Sequence, residues 1–179
     1  APIGYPEGLL VHLAENIKRN LNIPVITVGK IRNPELAQQI LQERRADMIA
    51  IGRTLIADPY WPKKAESDQV KYINPCISCN ECLNNILFRG KHVACSTNPK
   101  AGYELKSKTV DLSEKKVVVI GGGVAGLTSA IRASQSGAEV VLIEKNFQLG
   151  GLLLVADIAP HKEDLAPLNK YLKAMVNKL

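Results

Sequence analysis

Apolar residues return at three- and four-residue steps at Leu9, Leu10, Leu13, Ile17 and Leu21, which predicts an opening helix with one apolar face. His12 lies close to that face and reads as a packed or surface histidine rather than a catalyst. The period then changes. Ile23-Pro24-Val25-Ile26-Thr27-Val28 is rich in β-branched residues and closed by Gly29, the pattern of a buried strand. Asn33-Pro34 opens a helix through Leu36, Ala37, Ile40 and Leu41, with Pro34 in a first-turn position where its missing N–H costs nothing. A second buried strand is expected over Asp47-Met48-Ile49-Ala50-Ile51-Gly52, then Arg53 and a short helical segment around Trp61 to Ala65. Strand, helix, strand, helix with short links implies parallel strands and right-handed crossovers.

Past the turn signals Asn98-Pro99 and Gly102, the pattern resumes with the strand Val117-Val118-Val119-Ile120. A helix follows through Leu127, Ile131 and Ala133, and Gly137 ends it. Ala138 to Ile143 makes another strand. Gln148-Leu149-Gly150-Gly151 supplies a further glycine turn, and Glu163 to Leu179 reads as an amphipathic helix with Leu165, Leu168, Leu172 and Met175 on one side. The chain therefore divides into parts over 1–68, 69–112 and 113–179. Two strands cannot close a parallel barrel, because tilt and stagger are tied to strand number. One strand–helix–strand unit does not complete a dinucleotide-binding sheet either. Parallel edges are normally covered, so the expected first partner of this chain is the remainder of the same polypeptide.

Composition narrows the classes. At 46% hydrophobic the 179 residues can bury a core, which excludes a disordered chain. Only 4% is aromatic, against single-strand nucleic-acid binding by base stacking. The net charge of +6 is scattered, with Lys63-Lys64 and Lys115-Lys116 as pairs rather than blocks. A solvated surface accounts for it, and a binder of phosphorylated cofactors would show the same balance. No apolar run has transmembrane length and no signal pattern opens the chain, so a cytoplasmic protein without membrane contact is expected.

The strongest chemistry is Cys76-Ile77-Ser78-Cys79-Asn80-Glu81-Cys82, answered by Cys95, which uses all 4 cysteines. Cys76, Cys79, Cys82 and Cys95 give three thiols in one tight loop and a fourth further on, which suits the corners of an iron–sulfur cubane. Zinc competes, although structural zinc sites more often pair two separated knuckles, and a disulfide framework is the third reading. Both early strands end in glycine and a cation, Gly29-Lys30 and Gly52-Arg53. At the carboxyl ends of parallel strands, glycine admits an anion to the backbone and the cation adds charge-assisted hydrogen bonds. Two ordinary strand-to-helix turns with exposed cations remain the alternative. Gly121-Gly122-Gly123-Val124-Ala125-Gly126 is G-x-G-x-x-G in full context, between a strand and a helix, with Glu144 closing the next strand. Gly121 permits the turn, Gly123 admits a pyrophosphate, Gly126 allows close helix–strand packing, and Glu144 can accept from ribose hydroxyls.

With these features in one order, the chain resembles the iron–sulfur branch of the old yellow enzyme-like NADH:flavin oxidoreductases, which contains 2,4-dienoyl-CoA reductase, 2-enoate reductase and trimethylamine dehydrogenase. The resemblance rests on Ile51-Gly52-Arg53 with Ala57-Asp58-Pro59, on Pro75 to Asn80, on Cys82 and Cys95 with Asn98-Pro99, and on the glycine motif to Glu144. It implies an α/β fold: the last strands and helices of a (β/α)8 barrel, a cysteine-rich iron–sulfur segment, and the start of a Rossmann-like domain. By resemblance Lys30, Gly52 and Arg53 grip an FMN phosphate, the four cysteines hold a [4Fe–4S] cluster, and Ala125, Glu144 and Lys162 contact FAD, or ADP in the amine dehydrogenases. Such an enzyme passes a hydride from NAD(P)H to one flavin and electrons through the cluster to the other, then reduces an activated C=C bond of a small-molecule substrate. A homo-oligomer is compatible with this reading. An amine dehydrogenase is the alternative within the family, and a stand-alone electron-transfer or zinc module the alternative outside it. Lys30 stands where arginine is common, which keeps the charge but loses the bidentate fork. Leu152 follows Gly150-Gly151 where some members carry glutamine. The family's acid, base and pocket residues fall on earlier barrel strands, so no catalytic residue is named.

Overall fold

The computed structural model describes residues 2–106 and 110–179. The expected linker over 69–112 includes 107–109, which lie outside the described residues. Two compact units form, Ala1–Ala101 and Gly102–Leu179, and the cysteine segment belongs to the first.

In the first unit, α1 (Val11–Asn20) leads to β1 (Ile26–Thr27), α2 (Pro34–Gln42) and β2 (Met48–Ile49). Short helices α3 (Arg53–Ala57) and α4 (Trp61–Glu66) and the turn Val70–Tyr72 follow, then α5 (Glu81–Leu87). The strands pair in parallel, Ile26 against Met48 and Thr27 against Ile49. Asp47 locks that register: its amide donates to the Val25 carbonyl (2.8 Å), and its carboxylate accepts from the Val25 amide (2.8 Å). Helix α2 starts as its sequence demands, with the Asn33 side chain accepting from the Glu35 amide (2.9 Å) and proline in the first turn. Its inner face, Ala37 and fully buried Ile40, packs with Val11, Ile31, Ala46, Trp61 and Ile73.

Two expectations are corrected. The residues over 23–28 and 47–52 do not form buried strands: each strand has 2 residues, and Ile26, Val28 and Met48 are exposed. The stripe Leu10, Leu13, Ile17 and Leu21 on and around α1 also faces outward, while Val11 and Ala14 of the helix are buried. A parallel strand is buried only when both faces are covered. Among the described residues of this unit the core covers one.

The second unit is built on β3 (Lys116–Ile120), α6 (Val124–Gln135) and β4 (Glu139–Ile143), with the strands parallel and Lys116 opposite Glu139. Leu127, Ala130 and Ile131 turn inward from α6, which packs against both strands and against α8 (Ala166–Val176). Gly137, with φ of 92°, reverses the chain after α6 in a conformation that favours glycine. Helix α7 (Leu153–Ala156) and the turn Glu163–Leu165 complete the unit. The single amphipathic helix expected from Glu163 onward is thus a turn followed by α8. Pro167 sits in the first turn of α8, where its ring favours a helix start.

Candidate functional site

In the first unit the two glycine–cation turns meet. A cavity of about 320 Å³ is lined by Gly29, Lys30, Arg32, Gly52, Arg53 and Thr54 and, from the cysteine loop, by Cys76 and Ser78. Gly29 has φ of 131°, and a Cβ there would stand 3.1 Å from the Leu10 backbone, so glycine is required for conformation and for space. Lys30 follows at φ 54° and is 7% exposed; its ammonium donates to the Tyr5 carbonyl. Nothing lies within 4 Å of a Cβ added at Gly52, which leaves that backbone open to an incoming group. The Arg53 guanidinium donates to the Asn80 side-chain oxygen, tying one cationic turn to the cysteine loop.

The cysteine loop is folded by polar residues outside the cysteine motif. Asp58 is 3% exposed, and its carboxylate accepts from the Lys64 ammonium (2.6 Å) and from the Tyr60 and Asn74 amides (3.0 and 2.8 Å). The Asn74 amide group donates to the carbonyls of Ala57 and Thr97, and the Thr97 hydroxyl donates to the Pro75 carbonyl. These bonds bring the segment carrying Cys95 beside the segment carrying Cys76, which no local spacing could do. Ser78 and Asn80 both adopt positive φ, 55° and 60°, on either side of Cys79, and Cys82 is buried in the first turn of α5. All 4 cysteines are free thiols.

Burial pushes the Cys76 thiol up; the Ser78 amide and the Arg53 and Arg32 cations act against that shift, and Cys95 adds to it. Burial also pushes Cys82 up, opposed by the Leu83 amide and Arg53 and reinforced by Cys95 and Cys79. The Cys79 sulfur lies 3.3 Å from the Ser96 hydroxyl, next to Cys95 in the chain. Of the four predicted ligands, Cys76 lines the cationic cavity. Among the described residues no three His, Cys, Asp or Glu side chains close on a single ion. A cubane takes one thiolate per iron corner, so its ligands stand wider than those of one tetrahedral ion. Four cysteine thiols are a donor set that would hold such a cluster, one to each iron.

The second unit carries the other predicted site. The Gly121 amide donates to the Ile143 carbonyl (2.7 Å), joining the glycine turn to the end of β4. A Cβ at Gly126 would fall 1.8 Å from the Gly121 carbonyl oxygen, which makes helix and turn inseparable from glycine there. One at Gly151 would fall 2.9 Å from the Gly123 Cα, so the second glycine turn lies against the first. Glu144 closes β4, and its carboxylate accepts from the Gly122 amide (2.6 Å) and the Asn146 amide (2.8 Å). These bonds, the Gly122 one foremost, hold its carboxyl below the usual glutamate value. Each oxygen retains a lone pair for a further donor. Ala125 sits in the first turn of α6. Lys162 is exposed before the turn Glu163–Leu165 and, among the described residues, shares none of these hydrogen bonds.

Sequence reasoning passed over Arg32, Ser78 and Asn80. Arg32 lines the cavity, donates to the Cys76 carbonyl (2.8 Å) and pairs with Glu7 (2.7 Å). Its signal was present as the second cation of Gly29-Lys30-Ile31-Arg32. Ser78 and Asn80 gave none beyond their place between cysteines, because a left-handed backbone is not visible in residue type alone.

Comparison with known proteins gives the same two pieces. Residues 9–71 match the sequence model described as NADH:flavin oxidoreductase / NADH oxidase family, and residues 116–172 match that of FAD dependent oxidoreductases. An NADH oxidase of Thermoanaerobacter brockii is 45% identical over 99% of this chain and 28% of its own length. The solved 2-naphthoyl-CoA reductase complex superposes with a TM-score of 0.93 at 30% identity, over 99% of this chain and 28% of that one. Histamine dehydrogenase from Rhizobium sp. 4-9 superposes at 0.90 with 26% identity, over 99% and 27%. The chain spans about a quarter of the length of these relatives.

Proposed function

Because the chain belongs to the NADH:flavin oxidoreductase / NADH oxidase family, we propose that it forms part of an NAD(P)H-dependent flavin and iron–sulfur oxidoreductase that reduces activated C=C bonds. The observation that carries this reading is the single cavity in which Lys30, Arg32, Gly52 and Arg53 face Cys76 of the four-thiol set. In this reading the part over 1–68 is the end of a TIM barrel, 69–112 is the cluster segment, and 113–179 opens a Rossmann-like FAD or ADP domain. When bound, the flavins and the [4Fe–4S] cluster supply hydride acceptance and one-electron relay.

The chain's own residues hold and insulate these groups. Lys30 and Arg53 neutralise the FMN phosphate while the Gly29 and Gly52 turns let it approach the backbone. Cys76, Cys79, Cys82 and Cys95 ligate the cluster as thiolates. Arg32 and Arg53, both felt by Cys76, offset the charge those thiolates gather. Gly121, Gly123 and Gly126 seat a pyrophosphate at the start of α6, with Ala125 and Lys162 flanking it and Glu144 taking a ribose hydroxyl. Free thiols of this kind persist in a reducing compartment, so a cytoplasmic location suits the reading. Among the described residues no helix is long and apolar enough to cross a membrane.

The histamine dehydrogenase likeness supports a second reading, oxidation of an amine by the same architecture. One experiment separates them. The holoenzyme is supplied with NAD(P)H and a conjugated enoyl thioester or enoate, or with a small amine and an electron acceptor. Consumption of NAD(P)H coupled to loss of the conjugated bond supports the reductase; amine-dependent acceptor reduction with no enoate turnover refutes it.

A further inference from the structure

Ser78 lies between two of the cluster cysteines and is 1% exposed, yet its hydroxyl oxygen has no hydrogen-bond partner. Buried hydroxyls almost always have one. The residue is also held at φ 55°, a conformation that favours glycine or asparagine over serine. It lines the cavity beside Cys76, Lys30 and Arg53. A donor is thus kept, at a backbone cost, against the cluster ligands and without a protein acceptor.

We propose that the Ser78 hydroxyl donates its hydrogen bond to a sulfur of the cluster held by Cys76, Cys79, Cys82 and Cys95, and thereby raises the reduction potential of that centre. The inference rests on the iron–sulfur reading above. Adding an electron makes the sulfurs more negative, so a donor aimed at one of them stabilises the reduced state more than the oxidised state. Ser78 is in this sense a positioning and tuning residue, not a catalytic one.

The test is a redox titration of the holoenzyme, with the reduced cluster followed by electron paramagnetic resonance, in wild type, Ser78→Ala and Ser78→Gly. Both variants lack the hydroxyl, but glycine relieves the backbone and alanine does not, so a shared effect belongs to the hydroxyl. At a fixed potential near the wild-type midpoint, the reduced-to-oxidised ratio is expected to fall roughly tenfold in both, about 59 mV for one electron. Iron and FMN content should be unchanged. A midpoint that stays put overturns the inference. So does weakened FMN retention with an unmoved midpoint, which would assign the hydroxyl to the flavin phosphate. If the wild type lacks iron and sulfide, the iron–sulfur reading fails first and the inference falls with it. If the cluster is present and only the shift is absent, the role of Ser78 alone is refuted.

Discussion

Arg53 does two jobs with one guanidinium: it lines the cationic cavity and reaches the Asn80 side chain in the cysteine loop. Arg53→Ala removes a charge-assisted phosphate contact, worth about 1.5–3 kcal/mol, or roughly 10- to 150-fold in FMN dissociation constant. Flavin fluorescence on dialysis checks it, and unchanged retention would remove Arg53 from the phosphate site. Glu144 offers a pH signature. Its carboxyl is held down chiefly by the Gly122 amide, so its folded value lies below its unfolded value. The stabilisation is therefore present above the ordinary glutamate range, about 4.3, and is lost as pH falls through the lowered folded value. Denaturant unfolding followed at descending pH should show this loss in the wild type and a flatter profile in Glu144→Gln. Equal slopes would show that the Gly122 bond does not matter to folding.

Among the elements, the glycine turn before α6 tolerates least. Gly126→Ala places a methyl 1.8 Å from the Gly121 carbonyl, so turn and helix must part. Loss of adenine-nucleotide binding is expected, read by calorimetry with ADP, whereas unaltered binding would deny the turn its role. In the first unit, Ile40 of α2 is 0% exposed, and Ile40→Ala should cost about 2–5 kcal/mol in denaturant unfolding. Helices α2 and α6 were legible in advance because capping and turn residues announce them: Asn33 and Pro34 for α2, Gly137 after α6. The early strands were legible in place and pairing but not in burial. A run such as Ile23 to Val28 records the environment it suits. It does not record which of its faces the surrounding chain covers.

At the scale of the whole molecule, the two units carry different motifs, each marked by its spacing. The four cysteines and both Gly-cation turns could be picked out by type and interval. What spacing could not give was their convergence, which depends on Asn74, Thr97 and Asp58 bonding across many residues of chain. Such bonds are made by ordinary polar residues with no motif to mark them. The left-handed backbone at Ser78 and the reach of Arg32 to the Cys76 carbonyl were hidden for the same reason. In the complete enzyme, Cys79→Ser should leave FMN bound while blocking electron passage to the second site. Continued transfer from NAD(P)H through to substrate in that variant would take the cluster off the path. The most direct measurement is the iron, acid-labile sulfide and zinc content of the anaerobically purified protein, taken beside the same protein carrying Cys79→Ser. About four irons and four sulfides per chain, falling in the variant, is the predicted result; zinc without sulfide, or no metal at all, would contradict it.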